Sequence, residues 1–134
     1  MARTRTLIVS MAAGLLALSI GAAGCGSELK TNPEAYRGPE LRSEIADSAY
    51  LLVAQAPTPG WDVEIDATRR GADRTDVFVT LRRPNPVAAY SSKAVMQRVL
   101  TRVSTDRPLG ILARVMPFGS DEDQPYHRVR TDEN

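Results

Sequence analysis

Two stretches, WDVEIDAT (Trp61 to Thr68) and TDVFVTLRR (Thr75 to Arg83), alternate apolar and polar residues and are separated only by a short loop containing Gly71. A period of two puts successive side chains on opposite faces of a strand, so each stretch has one face for a core and one for water. Trp61, Val63, Ile65 and Ala67 share the first face, with Asp62, Glu64, Asp66 and Thr68 opposite. In the second stretch Val77, Val79 and Leu81 stand against Asp76, Phe78, Thr80 and Arg82. A turn centred near Gly71 and Ala72 pairs Ile65 with Val79 and Val63 with Leu81, and it sets Asp62 beside Arg82, a favourable cross-strand pair. A slip of one residue would turn the apolar face to water, so the register of this hairpin is well specified.

The same period extends to either side. AYLLVAQ (Ala49 to Gln55) is an apolar run of strand length, ended by the turn residues APTPG. RPNPVA (Arg83 to Ala88) carries prolines that would remove ladder donors, so it closes the hairpin. KAVMQRVLTRVST (Lys93 to Thr105) alternates Val95, Gln97, Val99, Thr101 and Val103 with Met96, Arg98, Leu100 and Arg102. Val95, Val99 and Val103 also recur every four residues, as a helix would ask, but β-branched residues at alternate places favour a strand. PLGILARVMPFG (Pro108 to Gly119) supplies a last apolar strand. These segments predict a mainly β fold, a small antiparallel β-sandwich or open barrel of about five strands over residues 48–119.

The flanks read differently. Residues 25–47 are polar, broken by Pro33 and Pro39, and suit a flexible spacer; Pro39 with Glu40 and Glu44 also admits a short helix over 39–47. Residues 120–134 are acidic and polar, as expected of a flexible tail. Residues 1–24 run from MARTRT through the uncharged LIVSMAAGLLALSI to the small residues GAAG, the order of a secretory signal. Its apolar middle is shorter than the roughly 20 residues a spanning helix needs.

The last residues of that leader, Ala22, Ala23 and Gly24, stand before the only cysteine, Cys25. They resemble the lipobox of bacterial lipoproteins, although a large aliphatic residue is usual at the place of Ala22. The resemblance implies cleavage before Cys25, a diacylglyceryl group on its sulfur, and acylation such as palmitate on the new amine. It therefore implies a domain held at a membrane of the bacterial cell envelope, facing the periplasm or exterior. Two or three acyl chains hold firmly where one is marginal.

Catalytic constellations are scarce. His127 is the only histidine and falls in the expected tail, so no Ser/His/Asp or Cys/His arrangement is predicted. One histidine and one acylated cysteine do not make a zinc set, and DEDQ (Asp121 to Gln124) lacks the spacing of a calcium loop. Asp62, Glu64 and Asp66 occur at strand spacing, where solvated charge is the ordinary filling of a polar face. The glycines are scattered, with no phosphate-cradling loop. The formal charge of +1 falls to −1 once Arg3 and Arg5 of the leader are removed, which does not favour nucleic acid. The expectation is a binding module, with no enzymatic activity, cofactor or metal.

In that setting YLLVAQAPTPGWDVEI (Tyr50 to Ile65), DVFVTLRRPNP (Asp76 to Pro86) and VMQRVLTRV (Val95 to Val103) resemble, in order and spacing, the C-terminal domain of the PrcB family of bacterial lipoproteins. The family tends to glycine at the place of Pro59 and tyrosine at that of Trp61. The resemblance implies a non-catalytic partner protein that stabilises a surface protease complex. APTPGW is also similar to one loop of the chagasin-type cysteine-protease inhibitors, whose GxGG element has no counterpart here. A structural envelope lipoprotein without a protease is the remaining class. Pro57, Thr58, Pro59, Gly60 and Trp61 are thus the candidate partner-binding residues. The same turn has a structural reading, with the prolines stiffening it, Gly60 supplying a rare conformation and Trp61 plugging the core.

Overall fold

The computed structural model describes residues 29–131. The leader and Cys25 lie outside the described residues. Eight strands form: β1 (Thr31–Ala35), β2 (Glu40–Ala46), β3 (Ala49–Ala56), β4 (Asp62–Arg70), β5 (Thr75–Arg82), β6 (Val95–Ser104), β7 (Leu109–Met116) and β8 (Tyr126–Arg128). They make a five-stranded sheet in the order β1-β8-β7-β5-β4 and a three-stranded sheet in the order β2-β3-β6. The chain is mainly β, as its alternation predicts, and the two sheets form a sandwich rather than a closed barrel.

The β4–β5 hairpin has the expected register, with Asp62 opposite Arg82, Val63 opposite Leu81 and Ile65 opposite Val79. Beyond Ile65 the ladder shifts by one residue, so that Ala67 rather than Asp66 faces Phe78. Asp66 is the extra residue of a β-bulge, a device that re-aims a side chain and exchanges the faces of the strand beyond it. Ala67 and Arg69 therefore join Phe78 and Asp76 on the outer face.

Between the sheets, Leu41, Leu52 and Ala54 meet Val77, Val79, Leu81, Ile111, Ala113 and Val129 in one buried cluster. Strand β5 is buried on both faces. On its outer side Phe78 packs with Leu112 and Tyr126, and Leu29 and Ala67 cover this second cluster. The Arg69 guanidinium stands 5.1 Å from the Phe78 ring centre and completes the lid.

Several expectations are corrected. Among the described residues the strands number eight, and the five-stranded sheet is mixed, because β5 and β7 run parallel, as do β1 and β8. The expected spacer 25–47 contains β1 and β2, so no helix forms over 39–47. Glu40, Arg42 and Glu44 alternate with Leu41, Ser43 and Ile45 along β2, and Arg42 bonds Glu44 two residues on at 3.0 Å, as same-face neighbours in a strand do. The expected tail 120–134 contains β8, secured by Tyr126 N–H to Lys30 O (2.8 Å) and Val129 N–H to Ile111 O (2.9 Å). Strand β2 is anchored by Leu41 and β8 by Tyr126 with the adjoining Val129, instead of by a periodic apolar run.

Candidate functional site

The PTPGW turn carries the chain from the three-stranded sheet to the five-stranded one. Pro57 and Gly60 are exposed, while Thr58, Pro59 and Trp61 are half-buried. Gly60 has φ +92°, and a β-carbon there would stand 2.6 Å from the Tyr90 ring and 2.9 Å from Pro84. Glycine is required on both counts. Trp61 packs against the main core, with the Arg83 guanidinium 5.5 Å from its ring centre. Its carbonyl accepts a 2.7 Å hydrogen bond from Gln97 Nε2 on β6, which ties the edges of the two sheets together.

The turn is thus clasped by the connection after β5. Arg83 N–H bonds Met116 O at 2.9 Å, and the Asn85 side chain accepts from Val87 N–H at 3.1 Å, fixing the tip of that loop. Val87 is 89% exposed at this tip and Tyr90 43%. Strands β5 and β7 are parallel and end together, Arg82 beside Met116, which brings Phe118 (56% exposed) to the same end. Met96, opposite Gln55 near the close of β3, belongs there too. Among the described residues, four of the six exposed large apolar side chains therefore gather at the end that holds PTPGW; Ile45 and Leu100 are the exceptions. Pro84, Val87, Tyr90 and Phe118 escape a reading by period because they lie in connections, where only the prolines signal order.

A second polar arrangement lies on the outer face of the five-stranded sheet. Asp66, on that face by the alternation that precedes the bulge, accepts from Thr80 Oγ1 and from the Tyr126 hydroxyl at 2.7 Å. Arg114 Nε donates to Thr80 Oγ1 at 2.9 Å and Nη1 to Gln124 O at 3.0 Å. Its guanidinium covers the Tyr126 ring at 4.5 Å, and Phe78 meets that ring edge-on at 5.2 Å. Burial, and then the hydrogen bond and charge of Asp66, push the Tyr126 hydroxyl up to about 12. A donor held protonated and committed to a carboxylate acts as a fastener, here pinning β8 to the sheet. The Asp66 side chain is 22% exposed; Asp62 and Glu64 are exposed on the same strand. His127 sits half-buried in β8 instead of in a solvated tail, with Nδ1 3.2 Å from Glu34 O.

Among the described residues no three His, Cys, Asp or Glu side chains are grouped to hold a metal ion. Among the same residues no helix is long and apolar enough to cross a membrane. No family model, curated protein or solved structure matches the chain.

Proposed function

We propose that the chain is a lipid-anchored, extracytoplasmic, non-catalytic module that binds another protein through the end of the sandwich formed by residues 57–61 and 83–90, and thereby supports an envelope complex. The observation that carries this reading is the concentration of exposed apolar side chains at that end, on loops braced by hydrogen bonds and prolines. Rigid loops bearing apolar and aromatic anchors lose little entropy on docking. The leader of residues 1–24 directly before Cys25 supports the anchor, and the PrcB-like order of segments supports a protease complex as the partner. A second reading, direct protease inhibition, is supported by the likeness of APTPGW to a chagasin-type loop and by its bracing against Pro84, which presents it as a fixed surface.

A photoreactive residue placed at Val87 is expected to cross-link one specific protein in intact envelopes, and the same residue at Ile45 is expected to cross-link none. Equal labelling from both positions would remove the contact surface. If the captured protein is a protease, loss of its activity on adding the pure chain selects inhibition, and unchanged or prolonged activity selects support. Palmitate labelling that persists in Cys25→Ala would remove the anchor.

A further inference from the structure

At the other end of β5, about 20 Å from Arg82 at ~3.4 Å per residue, three arginines surround one carboxylate. Asp76 lies 3.2 Å from Arg74 Nε, 3.6 Å from Arg128 Nη1 and 3.7 Å from Arg69 Nη2, and its side chain is only 11% exposed. The arginines come from the β4–β5 loop, from β8 and from β4. Gly110 on β7 lies opposite Asp76 and lacks the β-carbon that would collide with Asp76 Oδ1, so the carboxylate sits flush against the sheet. The loop is itself braced. Gly71 N–H bonds Arg74 O at 2.8 Å, and Arg107 donates to the carbonyls of Gly71 and Ala72.

The charges do not balance. Three guanidinium groups face one carboxylate, and among the described residues no other acid within 4 Å pairs with them. Among the described residues Asp76 Oδ1 has no hydrogen-bond partner despite its neighbours. A guanidinium has five N–H donors, and among the described residues each of these three touches only Asp76 as an ion-pair partner. Two grooves open beside the cluster and meet at Arg128, one of about 350 Å³ that includes Arg69 and one of about 440 Å³ that includes Arg74 and Arg130. Their apolar walls include Leu112 in the first and Leu109 and Ile111 in the second.

We propose that Arg69, Arg74 and Arg128, oriented by Asp76, form a receptor for the phosphate of a phosphorylated organic ligand. Guanidinium groups converging from three directions suit a tetrahedral oxyanion, which can accept on several sides at once, whereas a carboxylate offers one plane to one fork. The groove volumes, within the range of small-ligand sites, leave space for the group the phosphate is attached to. A free phosphorylated molecule and a phospholipid headgroup share this chemistry.

The test uses the full chain, labelled with ¹⁵N-arginine in dodecyl maltoside micelles, and titrates it with inorganic phosphate at fixed ionic strength. Saturable shifts of the Arg69, Arg74 and Arg128 Nε–H signals are expected. Arg128→Gln is expected to weaken the apparent Kd by roughly tenfold, the scale of one charge-assisted contact. Arg74→Gln, in the loop and outside the strands, serves if Arg128→Gln loses the native spectrum, and Arg42→Gln on the other sheet is expected to change nothing. Phosphatidylglycerol in the micelles, but not diacylglycerol, displaces phosphate if the source is a headgroup; a lack of displacement assigns a free ligand. A non-saturable response, or one undiminished in both Arg74→Gln and Arg128→Gln, would overturn the proposal.

Discussion

Tyr90 lies over Gly60 with no room for a β-carbon between them, and this contact joins two connections that are 30 residues apart in the chain. The left-handed φ of +92° at Gly60 is what lets the turn pass beneath the ring. Gly60→Ala therefore meets two penalties, backbone strain and a clash. It is expected to lower stability by about 2–4 kcal/mol. Adding Tyr90→Ala should return only the part of the clash made by the ring, leaving the Pro84 contact and the backbone strain, which a double-mutant cycle in urea reads directly.

Trp61 is the only tryptophan, so its fluorescence reports this turn without interference. Half-buried beneath Arg83, the indole is expected to be partly accessible to acrylamide. Arg83→Ala should increase quenching and cost about 0.5–1 kcal/mol, the size of an exposed cation–π contact. An indole wholly shielded in the wild type would make the residue a core plug and no more.

Tyr126 predicts a pH dependence with a definite sign. Its ionisation moves from 10.0 to about 12 on folding. An unfolded chain releases that proton near pH 10 and the folded chain holds it, so the contribution is whole below pH 10 and is lost as pH climbs toward 12. The full loss is about 2–3 kcal/mol. Burial also raises the Tyr36 hydroxyl, so Tyr126→Phe should flatten the decline in urea midpoint above pH 10 without abolishing it. Parallel declines in the two proteins would contradict the environment described for Tyr126.

Asp66 holds two hydroxyl donors and stands 4.0 Å from Arg114. Asp66→Ala strands those donors and is expected to cost about 2–3 kcal/mol. Asp66→Asn keeps an acceptor oxygen and should cost less, while a thermal melt showing equal losses would assign the effect to the bulge itself.

How far these features could be read from residue order follows from their range. The pairs Asp62–Arg82 and Val63–Leu81 were legible because one short loop and an alternating pattern dictate them. The bulge at Asp66 was not, since an inserted residue leaves alternation on either side intact and is revealed only by the partner strand. Strand β8 escaped because three residues carry no period, and its stability lies in bonds to Lys30 and Ile111, far away in sequence. The parallel pairing of β5 with β7 likewise depends on where β6 goes. For the site, PTPGW was visible as turn chemistry, but its clasp by Pro84 and Tyr90 is a tertiary fact. The arginines around Asp76 were scattered through the sequence and are gathered only by the sheet.

That parallel pair also dictates an order of assembly. Because β5 and β7 point the same way in one sheet, the chain between them must leave for the other sheet as β6 and return. The β4–β5 hairpin can nucleate locally, but β7 cannot dock until β6 has found β3, so neither sheet is complete before the other is under way. A chain wired in this fashion should fold as one all-or-none unit, in the millisecond-to-second regime of topologies dominated by distant pairings, and should resist piecemeal unravelling from either end of β5.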